Sequence, residues 1–245
     1  PSSVGRWLEL ARVAIDEAAG GGQPAIVVGG TGLYLYALLH GLAAVPIIPS
    51  EVRAAASKTY DELGGQEFHR ALSALDPKMA ERLRPHDRQR LVRAFEVVRA
   101  TGRSLAAWQA DPPIRVHLPQ PVAGLMLLPP RAEVYARIEG RLDAMVLAGA
   151  LEELRELQAL RLSPELPLLK AVAVRELLAH LEGELDLAAA LTRAKVQTRR
   201  YAKRQLTWLR HRMPELTQVP NFGDTPEIRK RPWLDWLGKS AGRAG

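Results

Sequence analysis

The stretch PAIVVGGTGLYLYALLHGL, residues 24–42, limits most strongly what this chain can fold into. Ala25–Val28 form a short apolar run whose β-branched residues and flanking glycines are typical of a buried strand in a parallel sheet. The glycine-rich turn Gly29–Gly32 follows, and the largely apolar residues 33–42 are predicted to form the next helix. A strand that passes through a tight turn into a helix predicts an α/β fold.

The composition narrows the class of protein further. The chain has 245 residues, of which 47% are hydrophobic and 25% are charged, so we expect a globular protein. It has no cysteine, which excludes disulfides, thiolate metal sites and cysteine nucleophiles. No apolar run approaches the ~20 residues that span a membrane, and no signal peptide is visible. We expect a cytoplasmic protein that has no membrane partner and acts as a monomer.

Changes in composition and periodicity divide the chain into three regions. Residues 51–112 read as helical throughout and lie between proline-bearing linkers, which predicts a helical insertion domain. Residues 1–50 and 113–212 then form the α/β core together. The proline-containing tail, residues 213–245, is predicted to be loosely structured. Within the core we expect a helix from Val4, a second buried strand at 122–128, and helices near 131–148, 149–160, 169–182 and 186–212.

Start and stop signals define the helices of the insertion. Asp76 is a predicted N-cap with Pro77 at the first helical position. Asp87 is the predicted N-cap of the next helix, and Gly102 is its C-terminal stop. Two earlier helices are expected at 51–63 and 67–75.

The positive charge concentrates in one segment near the end of the predicted core. Residues 193–212, RAKVQTRRYAKRQLTWLRHR, contain eight Lys or Arg and no acid, whereas the formal net charge of the whole chain is +7. Tyr201 and Trp208 lie among these cations, two helical turns apart. Because cations bind phosphates and aromatic rings stack on bases, the segment predicts a nucleic-acid partner. The alternative is a solvated helix face with its aromatic residues in the core. The eight cations are Arg193, Lys195, Arg199, Arg200, Lys203, Arg204, Arg210 and Arg212.

The glycine turn is a candidate anion site. Glycine lets a backbone approach a ligand closely, and the N-terminal amides of the next helix point toward the turn. The hydroxyl of Thr31, which stands inside the glycines, could donate a hydrogen bond to a phosphate oxygen. The alternative is a tight strand-to-helix turn that holds no ligand.

Lys170 and Arg175 are a second candidate for anion binding. They flank a small apolar run at the start of a predicted helix, where cations oppose the helix dipole unless they serve an anion. The alternative is ordinary surface charge. The six histidines show no metal-ligand spacing, so a divalent metal ion would arrive with a diphosphate.

A third candidate is the segment RQRLVR, residues 88–93. Arg90 and Arg93 lie three residues apart, and Gln89 could contact base edges or phosphates. The alternative is helix surface that Asp87 and Glu96 partly neutralise.

Taken together, these segments resemble the tRNA dimethylallyltransferases, also called tRNA isopentenyltransferases. The resemblance covers about residues 1–212 and implies a P-loop-NTPase-like parallel-sheet core with a helical insertion domain. The matching stretches, in family order, are VVGGTGLYLYALLHGL, PIIPSEVR, HDRQRLVRAFEVVRATGRSLAAW, LPPRAEVYARIEGRLDAMVLAGALEEL, LKAVAVREL and TRRYAKRQLTWLRHR.

The resemblance also implies a reaction and its partners. A dimethylallyl group would pass from dimethylallyl diphosphate to N6 of the adenosine just 3′ of the anticodon, and Mg²⁺ would bind with the diphosphate. The tRNA partner would bind through its anticodon stem-loop, with the flipped-out base in a channel that ends at the diphosphate.

By the same resemblance, Thr31 would bind the bridging oxygen of the diphosphate and help it leave, and Arg175 would clamp a phosphate. Donors placed where charge builds up stabilise a transition state. The implied diphosphate-binding residues are Gly29, Gly30, Thr31, Gly32, Lys170 and Arg175. The implied tRNA-binding residues are Arg53, Gln89, Arg90, Leu91, Val92, Arg93, Lys170, Arg175, Lys203, Arg204, Gln205, Trp208 and Arg210.

The chain departs from the family pattern in two places. The family normally begins with a GPTxSGKS/T-type loop and an Asp-Ser motif whose Asp is the general base, and Pro1 aligns after both. We therefore expect an N-terminally truncated chain with little or no activity. Ala173 stands where the family usually has glycine. The rival interpretation is a non-catalytic tRNA-binding module, and a weaker one is a relative of nucleotide kinases, against which the tRNA-binding motifs argue.

Overall fold

The computed structural model describes residues 3–119, 121–163 and 166–223. They form an α/β fold that is mostly helical. The strands are β1 (Leu125–Leu127) and β2 (Thr217–Val219). The helices are α1 (Val4–Gly20), α2 (Gly32–His40), α3 (Ser50–Leu75), α4 (Pro77–Arg82), α5 (Arg88–Thr101), α6 (Leu105–Ala110), α7 (Arg131–Leu147), α8 (Ala150–Ala159), α9 (Val174–Leu181) and α10 (Leu187–Arg212), with a 3₁₀ turn at Pro167–Lys170.

The chain divides into two compact units. The first contains residues 1–36 and 118–245, and the second contains residues 37–117. The predicted insertion, 51–112, falls within the second unit. No helix in the described part of the chain is both long and apolar enough to cross a bilayer.

The first unit combines a short parallel sheet with packed helices. β1 pairs with β2 in register Leu125 to Thr217, so two segments about ninety residues apart in sequence lie side by side. The main core of this unit lies among α7, α8, α9 and α10. Its buried residues are Leu142, Leu154, Ala173, Leu177, Ala190 and Ala194. This core fixes the N-terminal half of α10 and leaves its C-terminal half to contact other parts of the unit.

The second unit is a helical bundle. α3 packs along α5, and the fully buried ring of Phe68 contacts the rings of Tyr60 and Phe95. The predicted caps are confirmed. The Asp76 carboxylate accepts a hydrogen bond from the amide of Met79 at 3.1 Å, and the Asp87 carboxylate accepts one from the amide of Arg90 at 3.3 Å. Gly102 ends α5 in the left-handed conformation, as predicted. The two helices predicted at 51–63 and 67–75 are confirmed: they lie on either side of Gly64, whose φ of +72° breaks α3 into two helical segments.

The strand predicted at Ala25–Val28 is wrong in this structure. These residues are neither a strand nor buried, and the side chains of Ile26 and Val28 are 78% and 88% exposed. A buried strand needs a neighbour for its backbone hydrogen bonds. Within the described residues the sheet consists of β1 and β2, and neither pairs with this segment. The apolar run therefore stays in the loop that leads to α2.

The predictions for the second strand and the tail had different outcomes. β1 lies inside the strand predicted at 122–128 but is shorter. The start of the tail was predicted to be loosely structured, which is wrong for residues 213–223. Met213 and Val219 are buried there, and β2 hydrogen-bonds to β1. Residues 224–245 lie outside the described residues.

Candidate active site and nucleic-acid interface

The glycine turn presents Thr31 at the start of α2. The carbonyl of Thr31 accepts hydrogen bonds from the amides of Tyr34 and Leu35, so Thr31 occupies the N-cap position. Its side chain is exposed, and its hydroxyl makes no hydrogen bond with the described residues. A free hydroxyl beside a helix N-terminus is suited to donate to an anion.

The C-terminal half of α10 lies directly against this turn. Nε2 of Gln205 donates to the carbonyl of Gly30 at 2.9 Å and to the hydroxyl of Tyr201 at 3.2 Å. The indole of Trp208 lies over Gly32, where an added Cβ would come within 2.3 Å of ring carbon Cε3. The same indole meets the ring of Tyr36 edge-on, with centroids 6.0 Å apart. The turn and α10 thus form one surface.

A shallow pocket opens between the turn and α10. Its volume is about 220 Å³. Arg204 contributes the charge in its wall, and the Thr31 hydroxyl contributes a hydrogen-bond donor. The pocket is lined by Gly30, Thr31, Gly32, Leu33, Tyr201, Arg204, Gln205 and Trp208. A cation and a free hydroxyl in one lining, with aromatic rings beside them, suit a ligand with an anionic end.

The cations of α10 fall into two groups. Carboxylates of α7 neutralise two of them: Lys195 pairs with Asp143 at 2.6 Å, and Arg199 pairs with Glu139. The other six are exposed and form no ion pair with any described residue. They are Arg193, Arg200, Lys203, Arg204, Arg210 and Arg212. Unpaired cations along one helix produce the positive potential that attracts a polyanion.

Lys170 and Arg175 lie at the junction before α9. Lys170 ends the 3₁₀ turn and Arg175 is in the first helical turn, and both side chains are exposed. Between them Ala173 is the N-cap of α9 with φ at +71°, and it is 3% exposed. Neither cation lines the pocket beside Thr31 among the described residues. Their assignment to the diphosphate stays a prediction.

A buried carboxylate joins two arginines in the second unit. Glu96 is 4% exposed, and its Oε1 lies 2.5 Å from Nη1 of Arg93. Its Oε2 lies 3.7 Å from Nε of Arg53. Two predicted tRNA-binding residues from different helices therefore share one counter-ion.

Comparison with known proteins identifies the family of the chain. A family model described as IPP transferase matches residues 1–212. The chain belongs to this family.

Similar proteins carry a specific name. The chain is 50% identical over 245 residues to the tRNA dimethylallyltransferase of Phenylobacterium zucineum, which covers 98% of this chain and 76% of that relative. It is 53% identical over 208 residues to the tRNA dimethylallyltransferase of Rhodospirillum rubrum, which covers 85% of this chain and 64% of that relative.

Solved structures support the same family fold. The full-length tRNA isopentenylpyrophosphate transferase of Bacillus halodurans is 27% identical with a TM-score of 0.60, over 98% of this chain and 74% of that one. A eukaryotic dimethylallyltransferase, solved acting on tRNA, has a TM-score of 0.76 over 97% of this chain and 63% of that one. Because that protein is only 21% identical, it supports the fold alone.

The predicted site residues of this IPP transferase family member separate into distinct places. Gly30, Thr31, Gly32, Arg204, Gln205 and Trp208 come together at the pocket. Lys203 and Arg210 are exposed on the same helix as Arg204. Gly29 lies at the exposed start of the turn.

The segment 89–93 is mixed in character. Gln89 and Arg90 are exposed, and Arg90 pairs with Asp87 at 3.5 Å. Leu91 is fully buried in the core of the second unit, and Val92 is partly buried against it. The prediction that Leu91 contacts tRNA is therefore wrong for its side chain, because the helical repeat turns it inward.

Two features of the site were not predicted. The first is the ion pair between Arg53 and Glu96, because these two residues are distant in sequence and only the neighbouring Arg93 suggested a partner for Glu96. The second is the inward direction of Gln205 and Trp208. Tyr201, Gln205 and Trp208 stand at positions i, i+4 and i+7 of α10, and this spacing on one helix face could have predicted that they share a contact.

Proposed function

We propose that this chain is a tRNA dimethylallyltransferase, which modifies tRNA by prenyl transfer from dimethylallyl diphosphate. The family match and the names of relatives at about 50% identity support the reaction. One structural observation carries it to particular residues: the Thr31 hydroxyl lines the same pocket as α10, a helix with six exposed cations that form no ion pair among the described residues. This combination suits an anionic small substrate beside a polyanionic macromolecule.

The finer proposal concerns the acceptor. N6 of the adenosine 3′ of the anticodon would receive the dimethylallyl group, and the anticodon stem-loop would contact the exposed cations of α10. Single-stranded bases in RNA loops are recognised by stacking on aromatic rings, and Tyr201, which is 41% exposed beside the cations, is placed for such a contact.

The chemistry assigns roles to the residues of the turn. The carbon–oxygen bond of dimethylallyl diphosphate breaks, a carbon–nitrogen bond to the adenine amine forms, and the amine releases a proton. Negative charge grows on the bridging oxygen as the diphosphate leaves. A hydrogen bond from the Thr31 hydroxyl would stabilise that charge, and removing one such donor typically lowers the rate by ~10²–10³-fold. Lys170 and Arg175 would bind the terminal phosphate oxygens.

Magnesium fits this proposal as an ion that accompanies the substrate. The described residues contain no group of three or more His, Cys, Asp or Glu that could hold a metal ion. Mg²⁺ binds through few protein ligands and several phosphate and water oxygens. It would therefore be held by the diphosphate, where it supplies charge neutralisation.

Two measurements on the 245-residue chain test the proposal. Binding of unmodified tRNA should weaken steeply with salt, and replacing Arg200 and Arg204 by Gln should reduce the slope of log K against log salt by roughly 1.5. The matched control replaces Lys78 and Arg82, which are also exposed and four residues apart on a helix. An equal reduction of this slope in the control would contradict a tRNA interface on α10.

Transfer of label from dimethylallyl diphosphate to tRNA tests the reaction itself. Clear transfer of label to tRNA would support the reaction, and no transfer with both substrates bound would contradict it. Binding of tRNA with no binding of dimethylallyl diphosphate would instead favour the non-catalytic tRNA-binding module.

A further inference from the structure

We propose that Gln205 and Trp208 are positioning residues that hold the Gly30–Gly32 turn, so that tRNA bound to the outer face of α10 orders Thr31. The inference rests on the proposed function for the identity of the polyanion. It assigns to these two residues a role different from the direct tRNA contact that the sequence predicted.

The side-chain amide of Gln205 donates two hydrogen bonds to other groups of the protein. One N–H bonds to the Gly30 carbonyl and the other N–H bonds to the Tyr201 hydroxyl, at 2.9 and 3.2 Å. A glutamine amide has two donors, so none remains for a base edge or a phosphate. The bond to Gly30 fixes the peptide group that immediately precedes Thr31. It therefore limits where the Thr31 hydroxyl can point.

Trp208 holds the other side of Thr31. Its ring lies so close to Gly32 that any side chain there would overlap ring carbons Cε3 and Cζ3, at 2.3 and 2.4 Å from an added Cβ. The ring also contacts Tyr36, one turn further along α2. Two residues of α10 therefore contact the two sequence neighbours of Thr31: Gln205 contacts Gly30, and Trp208 contacts Gly32.

Exposed cations lie on the same turns of α10 as the residues that contact the glycine turn. Arg200, Lys203 and Arg204 alternate with Tyr201 and Gln205 and project to solvent. Arg200, Lys203 and Arg204 are like charges within one turn of each other, and such pairs destabilise a helix. A polyanion bound to these cations would remove this repulsion and make this stretch of α10 more rigid. Gln205 and Trp208 would then hold the turn for a larger fraction of the time, which couples the two surfaces through conformational entropy.

The test uses hydrogen exchange, which needs no catalysis. Gln205→Met removes both donors at nearly constant volume and without a change of charge. Gln197→Met is the matched control, because Gln197 is exposed on the same helix. In the free protein we expect the amides of Tyr34 and Leu35, which donate to the Thr31 carbonyl, to exchange about two- to tenfold faster in Gln205→Met than in the wild type, the factor that corresponds to one lost hydrogen bond. Gln197→Met should match the wild type.

Addition of unmodified tRNA tests the coupling. It should slow exchange of the Tyr34 and Leu35 amides in the wild type and in Gln197→Met, and it should slow their exchange much less in Gln205→Met at the same tRNA occupancy. Equal protection in all three proteins would overturn the coupling. A loss of tRNA affinity in Gln205→Met as large as that of the Arg200 and Arg204 replacement would make Gln205 a direct contact and also overturn it. Failure of the wild type to bind tRNA would contradict the proposed function, whereas binding without protection would contradict only this inference.

Discussion

The indole ring of Trp208 fills the space that a side chain at Gly32 would need. A Cβ at Gly32 would lie 2.3 Å from the ring, whereas a Cβ at Gly29 would meet nothing within 4 Å. The glycines of one turn therefore serve different purposes: a Cβ at Gly30 would lie 2.7 Å from Nε2 of Gln205, Gly32 lies under the ring, and Gly29 faces open space.

This difference gives the first prediction. Gly32→Ala should destabilise the protein by about 1–3 kcal/mol, the usual cost of overpacking, whereas Gly29→Ala should change stability by less than ~0.5 kcal/mol. Urea unfolding of both variants provides the comparison. In a Trp208→Leu background the cost of Gly32→Ala should largely disappear. A cost that persists there would mean that something other than the indole requires this glycine.

The second prediction concerns the buried carboxylate of the second unit. Glu96→Gln keeps the shape of the side chain but removes the charge that Arg93 and Arg53 share. Both arginines are partly exposed, with side-chain accessibilities of 41% and 59%, so solvent screens much of the pair. We expect a loss of about 1–2 kcal/mol, less than for a fully buried pair. The control is Glu62→Gln, which breaks an exposed pair with Lys58 and should cost under ~0.5 kcal/mol. Equal losses of unfolding free energy in the two variants would show that the burial of Glu96 does not strengthen its ion pairs.

The third prediction is a pH dependence in the second unit. A hydrogen bond from Arg103 lowers the pKa of Asp111, and the charge attraction between them acts in the same direction, while desolvation opposes both. Because the folded pKa is lower than the unfolded one, the pair stabilises the fold above the ordinary aspartate pKa of 3.8. That stabilisation is lost as the pH falls through the lower, folded value.

Asp111→Asn should therefore make the acid side of the stability curve shallower. Thermal melts between about pH 2.5 and 7 would show it, as a difference from the wild type that is largest near neutrality and vanishes in acid. The exposed Asp16→Asn serves as the control for an ordinary surface ion pair. A constant offset across the whole range would contradict linkage to this carboxylate.

The fourth prediction tests the backbone of the junction before Arg175. Ala173 is buried with φ at +71°, where β-branched side chains are strongly disfavoured. Ala173→Val should cost more than ~2 kcal/mol, from backbone strain and overpacking together. Ala173→Gly should stay within about 1 kcal/mol of the wild type, because relief of strain offsets the lost methyl burial. Ala171→Val is the matched control, since Ala171 is exposed with φ at −63°. Equal losses of unfolding free energy in Ala171→Val and Ala173→Val, measured by denaturant unfolding, would contradict backbone strain at Ala173.

Local signals allowed the helices of the second unit to be predicted well. Asp76 with Pro77, and Asp87 with Gly102, act within a few residues of themselves, so capping geometry follows from the sequence nearby. The same holds for the basic helix α10, whose composition required no knowledge of its surroundings. The family motifs likewise pointed to Thr31 and to the cations of α10 as candidate site residues.

Tertiary structure alone decided the rest, because the interactions involved join distant parts of the chain. The apolar run Ala25–Val28 has the sequence of a strand, but a strand forms only where a neighbour supplies hydrogen bonds. Thr217–Val219 has a weaker local signal and forms a strand because β1 lies beside it. Gln205 and Trp208 read as members of a nucleic-acid-binding helix, yet they turn toward Gly30 and Gly32, more than 170 residues away. In this protein, local residue types determine where helices end and where charge lies. Strand pairing and side-chain direction depend instead on distant parts of the chain, which supply either a hydrogen-bond acceptor or the space for a ring.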